Sequence, residues 1–189
     1  MRSNRVILLL VIVVLGMTTG IELWMGRLPF GPDGRFGWWE GNIWSTEQSQ
    51  RLVDPYSFSH LVHGLLFYAL LWLAAPRAPV RYRLLAAVAI EAGWEVLENS
   101  PLIINRYRAV TISLGYVGDS VLNSLSDVLM MSLGFLFAAR SRVWASVLAA
   151  VVLELGLALW VRDNLTLNII MLAFPVDAIR TWQMAGQPH

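Results

Sequence analysis

Apolar blocks and short polar connectors alternate along the chain, and the block lengths set the class. Six runs have the length and character of membrane helices, at about 6–25, 57–76, 84–104, 120–139, 143–161 and 165–181. The pattern predicts an all-α fold, a polytopic transmembrane helix bundle of about six spans. It forms a single integral membrane domain over 1–189, with a long outer loop at 26–56. The third run is the least hydrophobic, and Pro101 after Asn99 and Ser100 is expected to break or kink it. The last run contains Pro175 and Asp177, which leaves five and six spans both open. The first run follows Arg2 and Arg5 as a signal peptide would, but no A-x-A-like site follows, so an uncleaved anchor is expected.

Composition points the same way. Hydrophobic residues make up 57% of the chain and charged residues 14%, with a mean hydropathy of +0.57; a soluble domain carries about 25% charged residues. There is no cysteine, which removes disulfides, thiolate metal sites and cysteine nucleophiles. The net charge is +1 and the arginines are dispersed, so no nucleic-acid partner is expected. Arg2 and Arg5, then Arg77, Arg81 and Arg83, then Arg140 and Arg142 fall on one side of the bundle. By the positive-inside rule that side is the cytoplasm, with both termini inside and 26–56 outside. In that outer segment Trp38, Trp39 and Trp44 read first as an interfacial belt, and second as part of a lid over an outward-facing pocket.

Ionisable residues inside spans are costly and by default face a partner or a function. The second run opens with His60 and His63, three apart and therefore on adjacent parts of one helical face. The third carries Glu91, Glu95 and Glu98 on one narrow stripe, where ionised carboxylates repel unless protonated, paired or bound to a cation. The fourth begins with Asp119, Asn123 and Asp127, four apart along one face. Asp119 can cap a helix, but Asp127 lies too deep for that. With the arginine-based orientation, these stripes and Glu22 lie at one level in the outer half of the bundle. His60, His63, Glu95 and Asp127 are the candidate catalytic residues. A metal would draw on His60, His63, Glu95, Glu98, Asp119 and Asp127, and Zn, Mn or Fe would suit such a donor set. Glu154 is expected to make a lone buried hydrogen bond, Asp177 to pair with Arg180, and His189 to be a tail residue. Gly134 with Ser132, and the alanines of 145–150, read as close helix-packing positions.

The run from DPYSFSHLVHG (54–64) through EAGWEVLENSPLIINRYR (91–108) to GDSVLNSLSDVLMMSLG (118–134) resembles an uncharacterised family of small alphaproteobacterial inner-membrane proteins. The resemblance covers most of the chain and implies a multi-pass protein of the bacterial inner (plasma) membrane. A looser likeness extends to the VanZ-like proteins, whose pattern of His, Glu, Arg, Asp with Asn, and Gly would fall here on His60, Glu91 or Glu95, Arg108, Asp119 with Asn123 or Asp127, and Gly134. His63 and Glu98 are additions to that pattern. Arg108 and Asn123 become candidate substrate-binding residues. Three functions remain open. One is an intramembrane enzyme, using a divalent metal such as Zn or Mn or metal-free acid–base chemistry, on a lipid-linked or amphiphilic substrate at the outer leaflet of the surrounding lipid bilayer. The others are a proton- or ion-coupled transporter and a non-catalytic assembly partner. No G-x-S-x-G is present, which argues against a serine hydrolase.

Overall fold

Eight α-helices and no strand make up the described residues, 2–187, of a computed structural model. They are α1 (Arg2–Trp24), α2 (Ser57–Ala74), α3 (Val80–Glu98), α4 (Pro101–Val110), α5 (Val121–Arg140), α6 (Val143–Trp160), α7 (Leu165–Ala173) and α8 (Asp177–Met184). His189 lies outside the described residues. Four helices are long and apolar enough to cross a membrane: Asn4–Trp24, Ser57–Ala74, Val121–Arg140 and Val143–Trp160.

Two of the expected runs come out differently. The third ends as a helix at Glu98, and Pro101 starts the separate helix α4 at its first turn, where the missing N–H costs nothing. Arg106 and Arg108 therefore belong to a helix. The 165–181 run divides into α7, of 9 residues, and α8, of 8, on either side of Pro175. At 1.5 Å per residue each is only about 12–14 Å long, too short to cross a bilayer alone. No ion pair joins Asp177 to Arg180 among the described residues; Asp177 instead stands in the first turn of α8, where the helix dipole favours an acid.

The bundle is organised around α2 and α5. Gly64 has no room for a Cβ, which would overlap the Met131 carbonyl and the Phe135 amide, and a Cβ on Gly134 would overlap the Leu61 carbonyl. Paired glycines thus let the two backbones touch, as in close-packed membrane helices. His60 faces Asp127 and Tyr68 packs edge-on against Phe135, so the two helices run parallel. α3 runs antiparallel to both: Glu91 meets His63, the Arg83 guanidinium lies over the Tyr68 ring at 5.3 Å, and Asn99 reaches Ser124. α1 closes the far side of α3. The apolar core of Ala87, Val88, Val128, Met131 and Phe135 fills the half of the bundle toward the ends of α2 and α5. The polar stripes fill the other half. α6 leaves most of its surface open, while Ala145, Ala149 and Ala150 are half-buried.

The glycine contact makes a test. Gly64→Val should force the α2 and α5 backbones apart and cost about 1–3 kcal/mol, as overpacking does. Gly156→Ala, where a Cβ meets nothing within 4 Å, should stay within about 1 kcal/mol of wild type. Melting temperatures of the purified proteins in one detergent compare them; equal stability of both variants would mean that the close approach is not required.

Candidate functional site

The start of α2 is built by Asp54, whose carboxylate accepts from the amides of Ser49 (3.0 Å), Tyr56 (2.8 Å) and Ser57 (3.1 Å). That satisfies the helix's first donors from outside it. The start of α5 is capped by Ser120, whose hydroxyl accepts from the Asn123 amide at 3.2 Å. The 26–56 segment then ties the two starts together. Gln50 Nε2 donates to the Gly118 carbonyl (2.7 Å), Asn123 Nδ2 to the Arg51 carbonyl (2.9 Å), and Ser120 N to the Ser49 carbonyl (2.9 Å). Gly118 has a φ of +91°, and an added Cβ would also run into Arg27 and Asn99. The segment is a cover over a cavity. Trp38 is exposed and Trp39 stacks on Trp160, while Gln48, Ser49 and Tyr56 line a cavity beneath.

Below this cover, α2 and α3 bring imidazole and carboxylate together. His60 Nδ1 lies 2.5 Å from Glu91 Oε1, and His63 Nδ1 lies 2.9 and 3.1 Å from the two Glu91 oxygens. An ionised carboxylate only accepts, so each ring turns an Nδ1–H toward Glu91 and keeps Nε2 as its basic nitrogen. Glu91 is fully buried and holds both rings in orientation. His60 also lies 3.5 Å from Glu95 Oε1 through Nδ1 and 3.7 Å from Asp127 Oδ2 through Nε2. Two sets of three offer ligand atoms all within 4.8 Å of one another: His60 with His63 and Glu91, and His60 with Glu95 and Glu98. Both oxygens of the fully buried Glu95, and Oδ1 of Asp127, lack a hydrogen-bond donor. No arginine forms an ion pair with any of these acids among the described residues. An orphaned buried acceptor costs about 1–3 kcal/mol, and more when charged.

Glu91 is the residue that sequence reasoning placed on the right stripe but left out of the candidate site. Its stripe was legible, but that Glu91 rather than Glu95 comes level with His63 depends on the register of α3 against α2. Asp119 faces the cavity but is held by others. Its oxygens accept from the Tyr116 hydroxyl at 2.9 and 3.0 Å and from Asn99 Nδ2 at 3.2 Å. Arg108 donates from Nε to the Tyr116 carbonyl at 2.5 Å, and Asn123 holds the Arg51 carbonyl; neither lines the cavity. Glu154 is only half-buried, not buried as expected: it accepts from the Leu165 (3.2 Å) and Thr166 (3.0 Å) amides at the start of α7, the latter bond exposed. A second buried acid, Asp163, gathers Tyr56, Asn168 and Gln183 at 2.9, 3.2 and 2.9 Å and knits the α6–α7 turn to α2 and α8.

Outside the helices, burial pushes the Asp119 carboxyl up to about 7, against the lowering effect of the Tyr116 hydroxyl, with Asp54 adding repulsion. Burial likewise raises Asp163 to about 6. An acid raised on folding holds its proton more tightly in the native state, so the native state binds more protons than the unfolded chain from about pH 4 to about 7. Stability from these groups is present at the acid end of that window and is lost as the pH rises through it. Melting temperature in detergent should fall between pH 5 and pH 8, and Asp119→Asn, which cannot titrate, should fall less steeply. An unchanged slope in the variant would mean that Asp119 does not carry the dependence.

The sequence belongs with a defined set of proteins. Residues 22–185 match the family model described as a protein of unknown function, DUF2585. A UPF0314 protein of Paracoccus denitrificans is 53% identical over 164 residues, covering 86% of this chain and 84% of its own. One from Sphingopyxis alaskensis is 47% identical over 173 residues, 92% of each chain, and one from Rhizobium etli is 51% identical over 162 residues, 86% of this chain and 83% of its own. No solved structure matches the chain. The region matched contains the whole carboxylate–imidazole cluster, and the chain belongs to the DUF2585, or UPF0314, family.

Proposed function

We propose that this protein is a multi-pass enzyme of the bacterial inner membrane, with a divalent cation held by His60, Glu95 and Glu98 and acid–base chemistry supplied beside it. One observation carries the reading. Glu95 is fully buried with both oxygens lacking a donor, in a cluster where Glu91, Glu98 and Asp127 outnumber the two imidazoles. A divalent cation is the simplest way to compensate that excess, and it would make a bound water acidic enough to act as a nucleophile near neutral pH. Glu91 would keep the rings in place, as carboxylates behind metal-bound histidines do. His63, which lines the cavity, would accept the proton given up by that water.

A proton or ion path fits less well. The polar groups end where Val88, Met131 and Phe135 close the other half of the bundle, all 2% exposed or less. A role as helix glue alone leaves the orphaned Glu95 without a reason.

In the topology that goes with this reading, α3 crosses between the parallel α2 and α5, both termini are cytoplasmic, and 26–56 is outside. The 19 residues of α3 measure about 28 Å, enough for the hydrocarbon core. Reporter fusions at Gln48 and Leu114 should then give one answer and a fusion at Pro79 the opposite one. Agreement between Pro79 and Leu114 would mean that α3 does not cross.

Metal analysis of protein purified without a metal-affinity tag tests the cation. Wild type should hold close to one equivalent of Zn or Mn. Glu95→Gln should lower its affinity at least tenfold and fail to complement a deletion strain, at normal membrane levels and melting temperature. Glu154→Gln, remote from the cluster, should keep both metal and complementation. A metal-free wild type, together with full complementation by Glu95→Gln, removes the enzyme reading.

A further inference from the structure

The cavity beside the cluster has a volume of about 360 Å³ and two unlike ends. At the covered end are His60, His63, Glu98, Asp119 and Asp127, with the hydroxyls of Tyr107 and Tyr116. The other end is apolar and opens sideways. Leu66 and Leu70 of α2, Ile90 of α3 and Ile169 of α7 line the cavity, yet are 45%, 60%, 48% and 56% exposed. A side chain that lines a cavity and is half exposed marks its rim.

The height of that rim matters. Leu66 is the tenth of the 18 residues of α2, and Ile90 the eleventh of the 19 of α3. The opening is therefore near the middle of the bundle's length, where the neighbours are lipid chains. The water-facing end is closed by the 26–56 cover, through Gln48, Ser49 and Tyr56. From His63 to Leu70 the cavity wall on α2 runs about 10 Å, the length of roughly eight methylenes. The polar end selects by charge: carboxylates line it and no arginine does. Even with one divalent cation bound, Glu91, Glu95, Glu98 and Asp127 leave no positive surplus for an anionic head. What they offer is a set of hydrogen-bond acceptors.

We infer that the cavity takes a membrane-dissolved amphiphile sideways between α2 and α3, with its apolar chain along Leu66 and Leu70 and an uncharged, hydrogen-bond-donating head (hydroxyl or amide) at the cluster. The inference rests on the proposed function for what happens to the head, but the route and the preference for a neutral head follow from the cavity itself.

The test uses the full chain in phosphatidylcholine nanodiscs, with radiolabelled 1-O-dodecylglycerol as the neutral probe and dodecyl phosphate as the anionic one. Metal content is measured on the same samples. Wild type should bind dodecylglycerol at least tenfold more tightly than dodecyl phosphate, and free glycerol should not compete. Leu70→Trp, at an exposed position where the larger ring narrows the rim without entering the core, should weaken dodecylglycerol binding at least tenfold; Leu73→Trp, at an exposed position of the same helix that does not line the cavity, should leave it intact. Equal or tighter binding of dodecyl phosphate overturns the neutral-head assignment. Binding that Leu70→Trp does not change, in a variant with wild-type melting temperature, overturns the sideways route. Wild type that holds its cation but binds no dodecylglycerol sinks this inference and leaves the cation reading standing. A metal-free protein whose dodecylglycerol binding depends on the rim does the reverse.

Discussion

The contact of α2 with α5 at Gly64 and Gly134 is the constraint on which the rest depends. Two parallel helices at backbone distance cannot be joined by a tight turn, so the intervening chain must travel back along the bundle. α3 does this, and its direction brings the last turns of its acidic stripe level with the first turns of α2 and α5. Had α2 and α5 packed antiparallel, His60 and Asp127 would stand at opposite ends.

That geometry concentrates charge at one end, and the protein handles it in two ways. Asp54, Asp119 and Asp163 are surrounded by donors and work as structural knots: a helix start, a loop closure and an inter-helix tie. Glu91 is likewise satisfied, but by two imidazoles rather than by amides or hydroxyls, which converts a knot into an orienting group. Glu22, Glu95 and Asp127 all keep acceptor oxygens without a donor, and of these Glu95 and Asp127 stand within 4 Å of the His60 ring. An orphaned acid beside an imidazole separates site from framework here.

The cover formed by 26–56 gives the cavity its asymmetry. By bonding to the starts of α2 and α5 through Gln50, Ser49 and Asn123, it closes that end of the cavity and leaves the mid-height rim of Leu66, Leu70 and Ile90 as the opening. A binding site reached from lipid requires such a barrier, because a head group that met water and carboxylates equally would have no reason to stay.

The class of the molecule, the boundaries of α1, α2, α5 and α6, and the break before Pro101 were legible in the sequence, because each depends on local properties: run length, hydropathy and a residue without an N–H. That the polar stripes of α2, α3 and α5 face one another was legible in part, since helical spacing is a one-dimensional quantity. Three things were decided only in three dimensions. The two pieces of the last run, α7 and α8, are both tied to Asp163, through Asn168 and Gln183, contacts that no hydropathy window contains. Arg108 and Asn123 hold backbone carbonyls of loops distant in sequence, 8 and 72 residues away, so their residue type alone could not assign them. And the choice of Glu91, not Glu95, as the partner of both histidines depends on the axial register of α3 against α2. The Gly64–Gly134 contact sets the α2–α5 pair against which α3 packs, and side-chain periodicity along one helix carries no information about its register against another.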